Sequence, residues 1–279
     1  MKKTESVQSV TDNWQYIMLA VAIFLAIVFC CYYIISQSRW GFYTSEGMDE
    51  GRYDSIVPEV KTVAVVDSGV ENGTEPEKCA YLTFDDGPSH NTGEILDILD
   101  ANDVKATFFV VGRDESYYDT YRDIVDRGHT LGLHSYTHDY DKIYASLDDF
   151  SEDVEELRNL LYDVTGVDCV YYRFPGGSSN TVSRVDMGEL INYIEAEGLV
   201  YFDWNALNND AVCGSYTPEQ LVDNIMKDAV NYDDVVILMH DMDARHCTVE
   251  SLQQLIDELR GAGYTLLPID ENTPLVRHR

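Results

Sequence analysis

Basic residues are scarce in this chain of 279 residues: 19 lysines and arginines stand against 50 aspartates and glutamates, a formal charge of −31. That balance argues against nucleic acid as a partner, because phosphate binding needs clustered Lys and Arg. It says little about fold and describes an acidic, solvated surface. Charge is missing altogether between Asp12 and Arg39. Cysteine is sparse, six in all, and no C-x-x-C spacing occurs, which disfavours a zinc–cysteine site. No internal repeat is evident.

The uncharged stretch has its own meaning. Tyr16 to Ile35 is an unbroken apolar segment, long enough as a helix to cross roughly 30 Å of hydrocarbon. Trp14, Tyr16, Tyr32, Tyr33 and Trp40 flank it as interfacial anchors, and Lys2 and Lys3 against a single Arg39 favour a cytoplasmic N-terminus. The competing reading is a cleaved signal peptide. For that the apolar core is overlong, and it ends in Tyr-Tyr-Ile-Ile without an A-x-A site, although Ser36-Gln-Ser leaves cleavage open. The sequence therefore predicts a cytoplasmic tail at 1–15, a retained signal anchor spanning the membrane at 16–35, and an extracellular stalk at 36–78. The stalk is rich in Gly and Glu without periodicity, with Val57 to Val66 a candidate strand. Cys30 and Cys31 fall inside the anchor as small apolar fillers. Cys79, Cys169, Cys213 and Cys247 would lie in an oxidising compartment, and we expect Cys79 to pair with Cys169 and Cys213 with Cys247.

From Cys79 the pattern alternates. Strand candidates are Ala80 to Leu82, Ala106 to Gly112, Thr130 to His134, Val170 to Phe174, Leu199 to Phe202, Val235 to Met239 and Tyr264 to Ile269. Between them lie helical patterns around Glu94, at Tyr117 to Arg127, at Asp148 to Val164, from Thr217-Pro-Glu-Gln onward, and at Val249 to Arg260. Repeated β-α alternation implies parallel strands with helices outside, an α/β fold. The expectation is a distorted (β/α) barrel of about seven parallel strands over residues 79–270, preceded by one transmembrane helix and followed by a C-terminal tail at 271–279.

Chemistry gathers where strands end. Thr83-Phe84-Asp85-Asp86-Gly87-Pro88 puts two carboxylates at a strand-to-loop junction, the usual address of catalysis in α/β folds, and equally ordinary turn chemistry. Alternation along an extended backbone would send Asp85 and Asp86 in different directions, one toward a metal and one toward a proton. His134-Ser-Tyr-Thr-His138 places two imidazoles four apart; on one helical turn they face the same way and, with Asp86, make a two-His, one-Asp metal face. Arg173-Phe-Pro-Gly176-Gly177 offers a guanidinium able to grip a carboxylate through two parallel hydrogen bonds, and glycines that permit close backbone approach. Asp203-Trp204 and Leu238-Met239-His240-Asp241 close two further strands. A strand-end His oriented by an Asp from a neighbouring strand suits a general acid, and Trp204 and Leu238 are either core or an apolar wall. His90, His129, His246 and His278 are read as structural or exposed.

The ordered set TFDDGP, HSYTH, RFPGG, FDW and LMHD resembles the polysaccharide deacetylases that share the NodB homology domain, carbohydrate esterase family 4. The resemblance implies a distorted barrel that removes acetyl groups from amino sugars with one divalent metal, zinc or alternatively cobalt or another transition metal. By motif, it makes Asp85 the catalytic base, Asp86, His134 and His138 the metal ligands, and Arg173 the residue holding Asp85. The Gly176 N–H would bind the oxyanion, His240 would be the acid tuned by Asp203, and Trp204 and Leu238 would line the methyl pocket. Three places depart from the family pattern: Gly176 stands where an aromatic is common, Leu133 where Asn is frequent, and Asn205 to Asp210 in place of an acidic repeat. The implied partner is a cell-wall polysaccharide, with peptidoglycan N-acetylglucosamine the leading substrate. Chitin-like, exopolysaccharide or O-acetyl xylan substrates, or an inactive wall-binding relative, are the alternatives.

Overall fold

The structure, a computed structural model, describes residues 78–212 and 216–279. The anchor expected at 16–35, the tail before it, the stalk up to residue 77 and Cys213 lie outside the described residues. Among the described residues no helix is long and apolar enough to cross a membrane.

Strand and helix alternate along the chain: β1 (Lys78–Asp85), α1 (Thr92–Ala101), β2 (Thr107–Val111), α2 (Tyr118–Asp126), β3 (Thr130–Ser135), α3 (Tyr140–Ile143) and α4 (Leu147–Thr165). There follow β4 (Tyr171–Tyr172), α5 (Met187–Ala196), β5 (Val200–Tyr201), β6 (Ala206–Leu207), α6 (Pro218–Ala229), β7 (Asp234–His240), α7 (His246–Gly261) and β8 (Tyr264–Leu266). Every strand pairing is parallel, in the order β5-β4-β3-β2-β1-β7-β6. β8 joins β1 at Lys78–Ala80, on a stretch that β2, which enters only at Thr83, leaves open.

The two outermost strands, β5 and β6, are consecutive in the chain. Five Cα steps from Tyr201 to Ala206 span at most about 18 Å. Seven strands laid flat would separate their edges by about 29 Å. The sheet must therefore curl, and β5 and β6 meet across a gap without pairing. This is the expected distorted barrel, with an eighth strand added.

Alternation along β1 divides the core. Ala80, Leu82 and Phe84 point outward into the large cluster between sheet and helices, where Phe84 stacks on Phe108 at 5.1 Å. Tyr81 points inward, into a smaller cluster with Phe109, Phe202, Val236, Ile269 and Val276. Thr83 and Asp85 share that inward parity, so β1 delivers Asp85 to the barrel interior.

Local signals start and stop the helices. Thr217 and Gln220 form a reciprocal capping box with Pro218 in the first turn of α6, as Thr217-Pro-Glu-Gln predicts. Ser146 caps α4, which ends on Gly166 in the left-handed region at φ 74°. α5 was not anticipated, although Met187, Leu190 and Ile194 repeat at helical spacing and are buried. Residues 271–279, expected to be a tail, pack onto the domain, with Thr273 and Val276 buried.

One disulfide expectation is corrected. Neither Cys79 nor Cys169 is in a disulfide. Cys79 lies on β1 and Cys169 just before β4, with β2 and β3 between them, roughly 14 Å along the sheet. A disulfide needs Cα atoms within about 7 Å. Cys247 is disulfide-bonded, and its expected partner lies outside the described residues. Burial, with Asp168 adding to it, pushes the Cys169 thiol up to about 12. Cys169 should therefore resist thiol reagents in the native protein and react fully after unfolding without reductant. Recovery of a linked Cys79–Cys169 peptide by mass spectrometry contradicts this arrangement.

Candidate active site

Asp85 ends β1, and Asp86 turns sharply out of it. The backbone at Asp86 is not extended but left-handed, φ 71°, so the two carboxylates do not diverge as simple alternation predicts. Both face one centre at the carboxyl ends of the strands. The turn is tightly built. A Cβ on Gly87 would lie 2.5 Å from Asp241 Oδ2, so only glycine fits there. Asp241 is fully buried and accepts from Ser89 Oγ and Thr92 Oγ1, each at 2.6 Å; burial raises its pKa to about 6. Arg113, just beyond β2, donates to the carbonyls of Asp86 and Pro88 at 3.0 Å.

His134 and His138 do not share a helical turn. His134 lies within β3, and His138 follows in a loop at φ 51°. A single buried carboxylate shapes that loop. Asp153 of α4 accepts from Ser135 Oγ, the Tyr136 and Thr137 amides and Thr137 Oγ1, at 2.7 to 2.9 Å. The strand end and the loop bring the rings to 5.3 Å between centroids. Asp86 Oδ1 stands 3.0 Å from His138 Nε2 and 3.4 Å from His134 Nε2.

These three residues suit a divalent cation. His134 Nδ1 donates to the Arg173 carbonyl at 2.7 Å, which leaves the Nε2 lone pair facing Asp86. Among the described residues no hydrogen bond satisfies the buried Asp86 Oδ1. One ligand atom from each of Asp86, His134 and His138 lies within 4.8 Å of the others. A carboxylate and two imidazole lone pairs converging in this way repel unless a cation is held between them.

Arg173 is fully buried over the face of Phe109, 4.3 Å from its centroid. Its Nη1 donates to Asp85 Oδ1 at 2.9 Å and to Thr83 Oγ1 at 2.6 Å. Nε and Nη2 reach the carbonyls of Phe202 and Asp203, at 3.1 and 3.0 Å. The expected pair of parallel bonds to Asp85 is thus a single bond, because the other nitrogens are engaged by backbone. Gly176 and Gly177 follow at φ 75° and 80°. A Cβ on Gly176 would stand 3.2 Å from the Tyr140 hydroxyl, so Tyr140 takes the space a larger residue at 176 would need.

His240 ends β7 directly opposite Asp85. Its partner is Asp210, not Asp203. His240 Nδ1 lies 2.6 Å from Asp210 Oδ1, while Asp210 Oδ2 accepts from the His240 amide at 2.8 Å and Thr248 Oγ1 at 2.6 Å. Strand order explains the correction: Asp210 follows β6, the neighbour of β7, whereas Asp203 follows β5 across the gap. Asp203 instead accepts from the Ser178 amide and hydroxyl at 2.8 and 2.5 Å and from the His278 amide at 2.7 Å. Burial alone would lower the His240 pKa. The Asp210 carboxylate outweighs it, with Asp86 and Asp85 adding to the effect, and holds the metal-free ring at about 9. Leu238 lies two residues earlier on the same face of β7, nearly buried, and Trp204 is half-buried against Gly177.

Asp153 and Asp210 escape the sequence patterns. Asp153 sits on the buried face of an amphipathic helix, where an isolated acid marks a tertiary bond, and Asp210 follows a two-residue strand with no periodicity. The assembled centre sets an Asp held by Arg beside a metal-ligand face, with a His held by Asp on the adjoining strand. Such an arrangement can place a proton acceptor, a cation site and a proton donor side by side.

Two outcomes follow. In Asp210→Asn the His240 pKa, read by NMR, should fall from about 9 towards its ordinary value near 6.5, because burial remains while the largest of the opposing charges is gone. A raised folded-state pKa stabilises fully below the unfolded value and not at all above the folded one. The stability gap between wild type and variant should therefore be widest between about pH 5 and 6.5 and shrink through pH 9. Arg173→Met should cost roughly 3–5 kcal/mol in urea unfolding, since Asp85 is left buried without its cation.

Comparisons with known proteins place the chain in a family. The family model "Polysaccharide deacetylase" matches residues 72–190. The crystal structure of the catalytic domain of a peptidoglycan N-acetylglucosamine deacetylase from Eubacterium rectale is 38% identical. The match covers 76% of this chain and 97% of that one, with a TM-score of 0.70. A peptidoglycan-N-acetylglucosamine deacetylase of Bacillus cereus is 31% identical over 69% of each chain. A chitin deacetylase of Colletotrichum lindemuthianum is 33% identical over 71% of this chain and 80% of its own. With its parallel curled sheet and its Asp-Asp, His-x-x-x-His, Arg and His strand ends, the chain belongs to the polysaccharide deacetylases of carbohydrate esterase family 4.

Proposed function

We propose that this chain is a membrane-anchored, metal-dependent hydrolase that removes N-acetyl groups from peptidoglycan N-acetylglucosamine and releases acetate. One observation carries the reading: Asp85, held by Arg173, and His240, held by Asp210, stand in register on adjacent strands beside Asp86, His134 and His138. Asp86, His134 and His138 would hold the ion, with zinc favoured by two imidazoles and one carboxylate. When bound, such an ion polarises a carbonyl and lowers the pKa of water.

The protein's own groups account for the protons. Asp85 takes one from the attacking water as its oxygen bonds to the acetyl carbon. Arg173 holds Asp85 in place and aims it. The Gly176 amide would stabilise the oxyanion that forms. His240, with Nδ1 fixed by Asp210, gives a proton from Nε2 to the departing nitrogen as the C–N bond breaks. Acetate and a free amino sugar result, and Trp204 and Leu238 would wall the methyl group.

The anchor at 16–35 supports a place at the outer face of a cell membrane, beside the wall. Relatives named for peptidoglycan N-acetylglucosamine favour that glycan, and the chitin deacetylase relative makes chitin oligomers the second substrate to test. An inactive wall-binding role has no need of a paired base and a paired acid together.

Acetate release from purified peptidoglycan and from chitin oligomers, with zinc or cobalt supplied, decides the matter. We expect release that a chelator abolishes and added metal restores, and a loss on the order of 10²–10⁴-fold in Asp85→Asn. A wild-type chain that binds glycan yet releases no acetate with metal present overturns the enzyme reading.

A further inference from the structure

Residues 276–278 pack against Tyr201, Asp203 and Trp204, at and just after the end of β5. The Val276 carbonyl accepts from the Asp203 amide at 2.8 Å, and its side chain is buried in the barrel interior. Arg277 lies 3.8 Å over the Tyr201 ring, donates through Nε to the Tyr201 carbonyl at 3.2 Å, and pairs with Glu195 at 3.0 Å. The His278 amide then donates to Asp203 Oδ2 at 2.7 Å. Its ring packs edge-on against Trp204, 4.9 Å between centroids, with Nε2 2.8 Å from the Trp204 carbonyl. A carbonyl can only accept, so Nε2 carries the proton, and Nδ1 faces Ser179 Oγ at 3.4 Å.

Two further contacts carry this support into the site. Asp203, wholly buried, also binds the Ser178 amide and hydroxyl, and so fixes the end of the Gly176–Ser178 turn. Trp204 closes over that turn: a Cβ on Gly177 would lie 2.9 Å from the indole. Gly176 and Gly177 both sit at positive φ, a conformation glycine permits without fixing, so the turn takes its rigidity from outside.

We propose that Val276–His278 is a strap that positions the oxyanion-side glycine turn and the Trp204 wall, with His278 its positioning residue. Among the described residues the strap's hydrogen bonds and ring contacts go to Tyr201, Asp203, Trp204, Glu195 and Ser179. It acts on where the acyl group sits, through Asp203 and Trp204. The inference rests on the deacetylase reading for its kinetic consequence and on Trp204 alone for its structural one.

The test uses the full chain labelled with fluorotryptophan, the Trp204 signal being assigned by its loss in Trp204→Phe. In His278→Ala we expect the Trp204 fluorine resonance to shift and broaden, and KM for the glycan to rise roughly five- to tenfold, the worth of one neutral hydrogen bond. Metal affinity by calorimetry should stay at the wild-type value. His278→Gln, whose amide can again donate to the Trp204 carbonyl, should restore both resonance and KM. An unmoved Trp204 resonance in His278→Ala, or a shift that Gln does not reverse, overturns the strap. So does an active enzyme whose Trp204 signal moves while KM does not. Should wild type release no acetate, the deacetylase reading fails, while the fluorine signals still decide the strap.

Discussion

The buried ion pair between Arg173 and Asp85 is the constraint around which the rest of the domain is arranged. A charge that is wholly inside must be paired and its remaining donors satisfied, or it destabilises the fold. Arg173 meets that demand with Asp85, with Thr83, with the ring face of Phe109 and with the carbonyls of Phe202 and Asp203. Those two carbonyls belong to the segment linking β5 to β6. The guanidinium therefore occupies the place where strand pairing fails, and it joins β1 to the edge of the sheet that hydrogen-bonded ladders do not close. The residue that holds Asp85 also helps to hold the barrel shut.

From that pairing the two sides of the centre take their places by strand order. β1 lies between β2 and β7, so His240 stands level with Asp85 across one strand spacing. β3 and the loop after it supply His134 and His138 from the other direction. Four parts of the centre have an orienting partner: Arg173 for Asp85, Asp210 for His240, the Arg173 carbonyl for His134, and Asp153 for the loop carrying His138. Arg173, Asp153 and Asp210, which supply these bonds, lie in three separate parts of the chain and are all buried, so no one loop has to order the centre by itself.

Much of this was legible in the chain because apolar runs announce parallel strands and polar residues at their carboxyl ends stand out. Thr83 to Pro88 and Leu238 to Asp241 are of that kind, and they led directly to the family. The eight-residue β1 and seven-residue β7 are long enough for their pattern to speak. β6 and α3 are too short to carry a period, and α5 begins beyond a polar loop that masks its helical repeat. The motif order points to Asp203 as the partner of His240, but the strand order gives that place to Asp210. The barrel gap lies between those two positions.

What the sequence alone determined was the set of chemical groups and the strand ends that bear them, since period, turn residues and motif order are local properties. Which group meets which depended on the path of the folded chain. The left-handed turn at Asp86 set two carboxylates on one centre. The strand order gave His240 to Asp210. Residues 271–279, without a recognisable pattern of their own, became the backing of the glycine turn. Long-range hydrogen bonds and buried charges depend on the path of the whole chain, and no window of sequence contains both of their ends.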